Sequence, residues 1–270
     1  MSCDFSSLAA PGVRTLQPYQ PGKPESELRR EYGLSHIVKL ASNENPLGPS
    51  PRALAAVREA LSEMARYPDG NGFALKTALS SRLNVPMTAL TLGNGSNDVL
   101  ELVGRAFLTS AHEAVFSEHA FAVYPIVTQA VGATARVAKA NPPDHAMPHG
   151  HDLAAMQALI TDRTRVVFIA NPNNPTGTWL HTLELQSFLE SVPEQVLVVV
   201  DEAYFEYVEA DSDCPDTLRW FDRFPNLIVT RTFSKAYGLA GLRVGYAVSQ
   251  PPVADLLNRV RQPFNVNSLA

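Results

Sequence analysis

Lys235 stands in the run Thr232-Phe233-Ser234-Lys235-Ala236-Tyr237-Gly238, and Arg243 follows in Gly241-Leu242-Arg243. A lysine that condenses with a carbonyl to form a Schiff base must lose its proton, so it needs a tight, partly desolvated setting. A phosphate group beside it needs hydroxyl donors and a fixed cation. Thr232, Ser234 and Arg243 are residues of those types. Lys235 taken alone also reads as a surface lysine in a glycine-rich loop; its companions argue for the chemical reading.

Three further clusters have the composition of a site. Asp201-Glu202-Ala203-Tyr204 follows an apolar run, although two acids there also suit a helix N-terminus. Asn171-Pro172-Asn173-Asn174-Pro175-Thr176-Gly177 follows another. Asn, Pro and Gly dominate turns, but such a long unbroken set is more than a simple turn needs. Gly93-Asn94-Gly95-Ser96-Asn97-Asp98 lies between a strand-like and a helix-like stretch. Its glycines permit close backbone approach, and the N–H groups of a helix start bind phosphate or take an ordinary N-cap. Asp98 opposes an anion unless it turns away and caps the helix. His145, His149 and His151 share a Pro/Gly loop. Without a Cys or carboxylate set at ligand spacing they read as a solvated loop, and no metal site is expected.

These clusters need a frame. Apolar runs at 89–92, 114–116, 134–137, 166–169, 196–200 and 227–230 read as strands. Helical spacing recurs from Pro51 and at 73–83, 97–107, 121–131, 153–160, 183–190 and 253–262. Strands that alternate with helices and are apolar throughout predict an α/β fold with a mostly parallel sheet covered on both faces. In such a sheet ligands bind beyond the carboxyl ends of the strands, where all four clusters fall. Residues 1–50 are rich in Pro and Gly and read as an arm, with a short helix near 28–32 and a short strand at 37–40.

The bulk numbers exclude more than they name. The 270 residues carry a formal net charge of -5, with 45% hydrophobic and 18% charged residues. That describes an ordinary globular protein without the basic footprint of a nucleic-acid binder. No apolar run is long enough for a membrane span, and residues 1–10 lack signal-peptide character. Two cysteines, Cys3 and Cys214, make no disulfide framework, so a reducing cytoplasm is the expected setting.

The lysine segment resembles that of pyridoxal-phosphate (PLP) aminotransferases with the aspartate-aminotransferase fold, fold type I. The resemblance runs from about Ala41 to Ala270. It implies that Lys235 holds PLP and moves the reacting proton. Asp201 would face the ring nitrogen and keep it protonated. Tyr204 and Asn174 would bond the phenolate oxygen, and Phe121 would stack on the ring. Gly95, Ser96, Asn97, Thr232, Ser234 and Arg243 would hold the phosphate. Tyr67 would reach the phosphate of a neighbouring subunit in a homodimer. Asn43 and Glu44, in Ala41-Ser42-Asn43-Glu44-Asn45-Pro46, fall on the substrate side.

Tyr67-Pro68-Asp69-Gly70-Asn71-Gly72, Asp201-Glu202-Ala203-Tyr204 and Gln262-Pro263-Phe264-Asn265-Val266-Asn267 are similar to the histidinol-phosphate branch of that family. The reaction implied is L-histidinol phosphate with 2-oxoglutarate, in histidine biosynthesis. The same branch holds aromatic-amino-acid aminotransferases, and a non-catalytic PLP-binding module is the rival of another class. The resemblance divides the chain into an arm with part of the small domain (1–50), a PLP-binding large domain (51–252) and the start of a linker to a C-terminal small domain (253–270). Family members carry substrate-binding arginines in a C-terminal domain beyond that linker. This chain is expected to lack them and to expose apolar surface that such a domain would cover.

Overall fold

The computed structural model describes residues 3–208 and 212–270. The apolar runs become strands β1 (Leu90–Gly93), β2 (Glu113–Ser117), β3 (Thr134–Ala138), β4 (Thr164–Ala170), β5 (Leu197–Asp201) and β6 (Leu227–Thr232), joined by β7 (Gly245–Ser249). They form one sheet in the order β1-β7-β6-β5-β4-β2-β3. All neighbours from β6 to β3 are parallel. β7 runs antiparallel to both β6 and β1. The sheet is therefore mostly parallel with one reversed strand, which the apolar-run reading missed.

The helices are α1 (Phe5–Leu8), α2 (Pro11–Arg14), α3 (Glu25–Tyr32), α4 (Pro51–Ala60), α5 (Phe73–Leu83), α6 (Ser96–Phe107), α7 (Val123–Ala130), α8 (Leu153–Ala158), α9 (Thr182–Ser191) and α10 (Pro251–Val260). Side chains alternate across a strand, so β4 sends Val166 and Phe168 to one face and Val167 and Ile169 to the other. The first face is covered by α6, α7 and α10 through Leu100, Val103, Tyr124, Val127 and Leu257. The second is covered by α8 and α9 through Leu153, Met156, Leu185, Phe188 and Leu189. Burial on both faces is why the inner strands read as continuous apolar runs, while the edge strand β3 is mostly exposed.

The expected strand at 37–40 is absent. Its β-branched residues meet no sheet edge, and Val38 and Leu40 stay 70% and 91% exposed. Among the described residues no helix is long and apolar enough to cross a membrane.

Candidate active site

The carboxyl ends of β4, β5 and β6 open onto a cavity of about 410 Å³. Asn43, Ser96, Asn97, Phe121, Asn174, Asp201, Tyr204, Thr232, Ser234, Lys235 and Arg243 all line it. Residues from Asn43 to Arg243 thus converge at one sheet edge.

Asp201 ends β5 and is buried. Its Oδ1 accepts from Thr230 Oγ1 at 2.9 Å and its Oδ2 from Tyr124 Oη at 3.1 Å. Burial pushes its pKa up, while those hydroxyls, the Ala203 N–H and nearby Lys235 favour the charged form. The helix-terminus reading of Asp201-Glu202 does not hold. Glu202 is fully buried and accepts from Arg231 Nε at 2.8 Å and Nη2 at 2.6 Å. Arg231 also meets Asp216 and lies 4.0 Å over the Phe205 ring. Parallel pairing of Asp201 with Thr230 puts the two carboxylates on separate partners.

Lys235 follows β6, and its Nζ donates to the Ser42 carbonyl at 3.1 Å. Burial lowers its pKa below the usual lysine value, and Arg243 adds in the same direction. Glu44 and Asp201 oppose them. Tyr204 donates no bond to Asp201; its hydroxyl accepts from Asn43 Nδ2 at 2.9 Å.

The anion side is built around Arg243, which has a left-handed backbone. Its Nη1 donates to Ser234 Oγ at 3.2 Å, and Ser234 N–H donates to Thr232 Oγ1 at 3.1 Å. The guanidinium lies against Gly95, where any Cβ would collide with it, and Gly95 has φ 83°. Gly95 leads directly into the N-terminus of α6 at Ser96. Asp98 turns away, accepting from the Asn94 N–H at 2.8 Å and Asn265 Nδ2 at 2.6 Å.

Asn171 and Asn173 build the loop that carries Asn174. Asn171 Oδ1 accepts from the Leu180 N–H at 2.9 Å, and Asn173 Nδ2 donates to the His119 carbonyl at 2.8 Å. Asn174 lines both this cavity and a larger one of about 690 Å³ beside it. Glu44 lines the larger one and pairs with Lys39 at 2.7 Å. Tyr67 stands outside both, 84% exposed and stacked on Phe264 at 4.9 Å.

The residues present fit the expected cofactor. Asp201's direct side-chain partners are neutral hydroxyls, so the buried carboxylate suits a cationic ring nitrogen. A helix start, two serines and an arginine suit a phosphate. Tyr19, Tyr124 and Thr230 are site residues that motif reading missed. A tyrosine in a Pro-rich arm, one in a core helix and a strand threonine carry no local signal. His151 is not solvated: it is buried, its Nε2 is 3.0 Å from the Ala170 carbonyl, and burial lowers its pKa to about 4. Among the described residues no group of three or more His, Cys, Asp or Glu is placed to hold a metal.

The aminotransferase class I and II profile matches residues 35–270. Histidinol-phosphate aminotransferase 2 of Pseudomonas fluorescens is 66% identical, over all of this chain and 72% of that protein. Its namesake in Pseudomonas aeruginosa is 63% identical, over 99% of this chain and 71% of that protein. The histidinol-phosphate aminotransferase of Sinorhizobium meliloti, solved in complex with pyridoxal-5'-phosphate, superposes with TM-score 0.84 at 28% identity. That match covers 96% of this chain and 67% of that one. A Thermus thermophilus aspartate aminotransferase variant shares the fold with TM-score 0.82 at 20% identity, over 96% of this chain and 70% of that one.

Proposed function

The chain belongs to the class I and II aminotransferase family, and from that premise we propose that it exchanges an amino group between L-histidinol phosphate and 2-oxoglutarate, in histidine biosynthesis. Its cofactor is pyridoxal 5'-phosphate. The observation that carries the substrate is 63–66% identity, across essentially the whole chain, to relatives bearing that name.

When bound, pyridoxal phosphate supplies an electron sink for the pair left on the substrate's amine-bearing carbon. Lys235 anchors the cofactor, and its Nζ takes and returns the proton of that carbon. Burial lowers its pKa, which favours the free-base form that this role needs. Asp201 holds the ring nitrogen's proton, and its buried, hydroxyl-bonded carboxylate supports that role. Tyr204 and Asn174 take the phenolate oxygen, and Phe121 covers the ring face. Gly95, Ser96, Asn97, Thr232, Ser234 and Arg243 take the phosphate. Asn43 and Glu44 stand on the substrate side, Asn43 through its bond to Tyr204.

The active unit is a homodimer in which Tyr67 completes the neighbouring site. Support comes from an exposed apolar set of Leu61, Met64, Tyr67, Phe73 and Phe264. Residues 1–50 form the arm and part of the small domain, and 51–252 the PLP-binding large domain, which holds the seven strands of the described residues, with 253–270 as the start of a linker. Two free thiols, Cys3 and Cys214, go with a cytoplasmic setting.

The test is the absorbance spectrum of the chain with PLP, before and after L-histidinol phosphate. A band of lysine-bound cofactor that vanishes with this donor, and never forms in Lys235→Ala, supports the reading. Response to aromatic amino acids alone would make it an aromatic aminotransferase. A band that ignores every donor would make it a cofactor-binding module.

A further inference from the structure

Tyr124 is fully buried on α7, one turn from Phe121. Its ring stacks on Phe168 with centroids 4.9 Å apart and 8° between planes, and stands edge-on to Phe121 at 5.8 Å and 87°. A buried phenol needs a hydrogen-bond partner, and its partner is Asp201. We propose that Tyr124 is a positioning residue that sets two cofactor-facing groups at once, its hydroxyl fixing the Asp201 carboxylate and its ring edge backing Phe121. This rests on the assignment of Asp201 and Phe121 to the cofactor ring.

The geometry carries the argument. Tyr124 and Thr230 donate to different oxygens of Asp201, so the carboxylate is pinned against rotation about its Cβ–Cγ bond. Each oxygen keeps a lone pair for another donor. Both hydroxyls favour the ionised acid against a burial that disfavours it. Burial and Asp201 itself hold the Tyr124 phenol well above its usual pKa, so it remains a donor. The other titratable groups facing Asp201 are Tyr204, from the loop after β5, and Lys235, from the loop after β6. Arg231 is committed to Glu202 and Asp216. Removing the Tyr124 hydroxyl therefore raises the proton affinity of Asp201 and draws the shared proton away from the ring nitrogen.

The test is nitrogen NMR of PLP labelled with ¹⁵N in the ring, bound to the full chain, with cofactor affinity measured alongside. Tyr124→Phe keeps the ring and loses the donor. It should move the ¹⁵N resonance toward unprotonated pyridine and weaken PLP binding about tenfold, the size of one hydrogen bond to a charged group. Incorporating 3-fluorotyrosine at position 124 keeps the shape, strengthens the donor and should move the resonance the other way. Phe168→Leu disturbs the stack alone, and should lower the melting temperature with the resonance unmoved. An unchanged resonance and affinity in Tyr124→Phe, or an equal shift in Phe168→Leu, overturns the inference and leaves the cofactor assignment standing. Failure of the wild-type chain to take up PLP overturns both.

Discussion

Lys235 Nζ donates to the carbonyl oxygen of Ser42 at 3.1 Å, which ties the amine of the β6–β7 loop to the N-terminal arm. Burial disfavours its charged form, so its pKa in the folded chain lies below 10.5. Between that lowered value and 10.5 this group binds more protons in the unfolded chain than in the folded one, so its own contribution to stability rises with pH. Lys235→Met removes this contribution and leaves those of the other groups. Urea unfolding of the cofactor-free chain across that window measures it, and parallel slopes for the two proteins would contradict a desolvated amine.

Gly95→Ala tests the anion cradle. At φ 83° an L side chain is strained, and its Cβ would strike the Arg243 guanidinium. The backbone strain costs about 1–2 kcal/mol of stability, and the displaced Arg243 predicts PLP binding ~10-fold weaker. Fluorescence titration with PLP, and with inorganic phosphate as the simpler probe, reads the change. Wild-type affinity for both would remove Gly95 from the cradle.

Tyr67 predicts complementation. Tyr67→Ala and Lys235→Ala chains are each expected to be inactive or nearly so. Co-expressed, they would form mixed dimers in which the intact Lys235 of one chain meets the intact Tyr67 of the other. Recovery of the donor-dependent spectral change in the mixture is the expected result. No recovery, from pairs shown to be dimeric, would place Tyr67 outside the site.

His151 predicts an acid limit. Its pKa falls from 6.5 to about 4 on burial, so the unfolded chain binds the extra proton between those values. Stability is full above pH 6.5 and is lost as pH falls toward about 4. The loss is on the order of 3 kcal/mol at most, at about 1.4 kcal/mol per unit. His151→Gln should flatten this part of the stability profile in urea. A profile as steep as the wild type's would assign the acid loss elsewhere.

Five of the six strands read from the sequence were legible because burial on both faces leaves apolar runs such as Val198 to Val200, whereas β3 is a mostly exposed edge strand. β7 was not legible, since Gly245-Tyr246-Ala247-Val248 has the makeup of its glycine-rich neighbourhood and its direction is set by a return from β6. The run Ile37 to Leu40 misled because β-branched residues make a strand only where an edge receives them. The four chemical clusters could be read from local composition. Tyr124 and Thr230 could not, because their chemistry lies wholly in the side chain they meet, Asp201, one from a covering helix and one from the next strand. His151 misled for the same reason, as a loop histidine whose environment is supplied by Ala170.

The place of β7 between β1 and β6 also bears on assembly. On a chain emerging from the ribosome, the block β3-β2-β4-β5-β6 has every one of its strands once Thr232 is out. β1 is made before all of them, yet its partner is β7, so its edge waits through the synthesis of the whole block. Closing so long a loop is entropically slow, and exposed strand edges invite misassembly. The Gly95 cradle rides on β1 and Arg243 on the turn into β7. The two halves of the proposed phosphate cradle are therefore not both available to each other until β7 has been made. A phosphate-bearing ligand that needs both halves gains them only after that point.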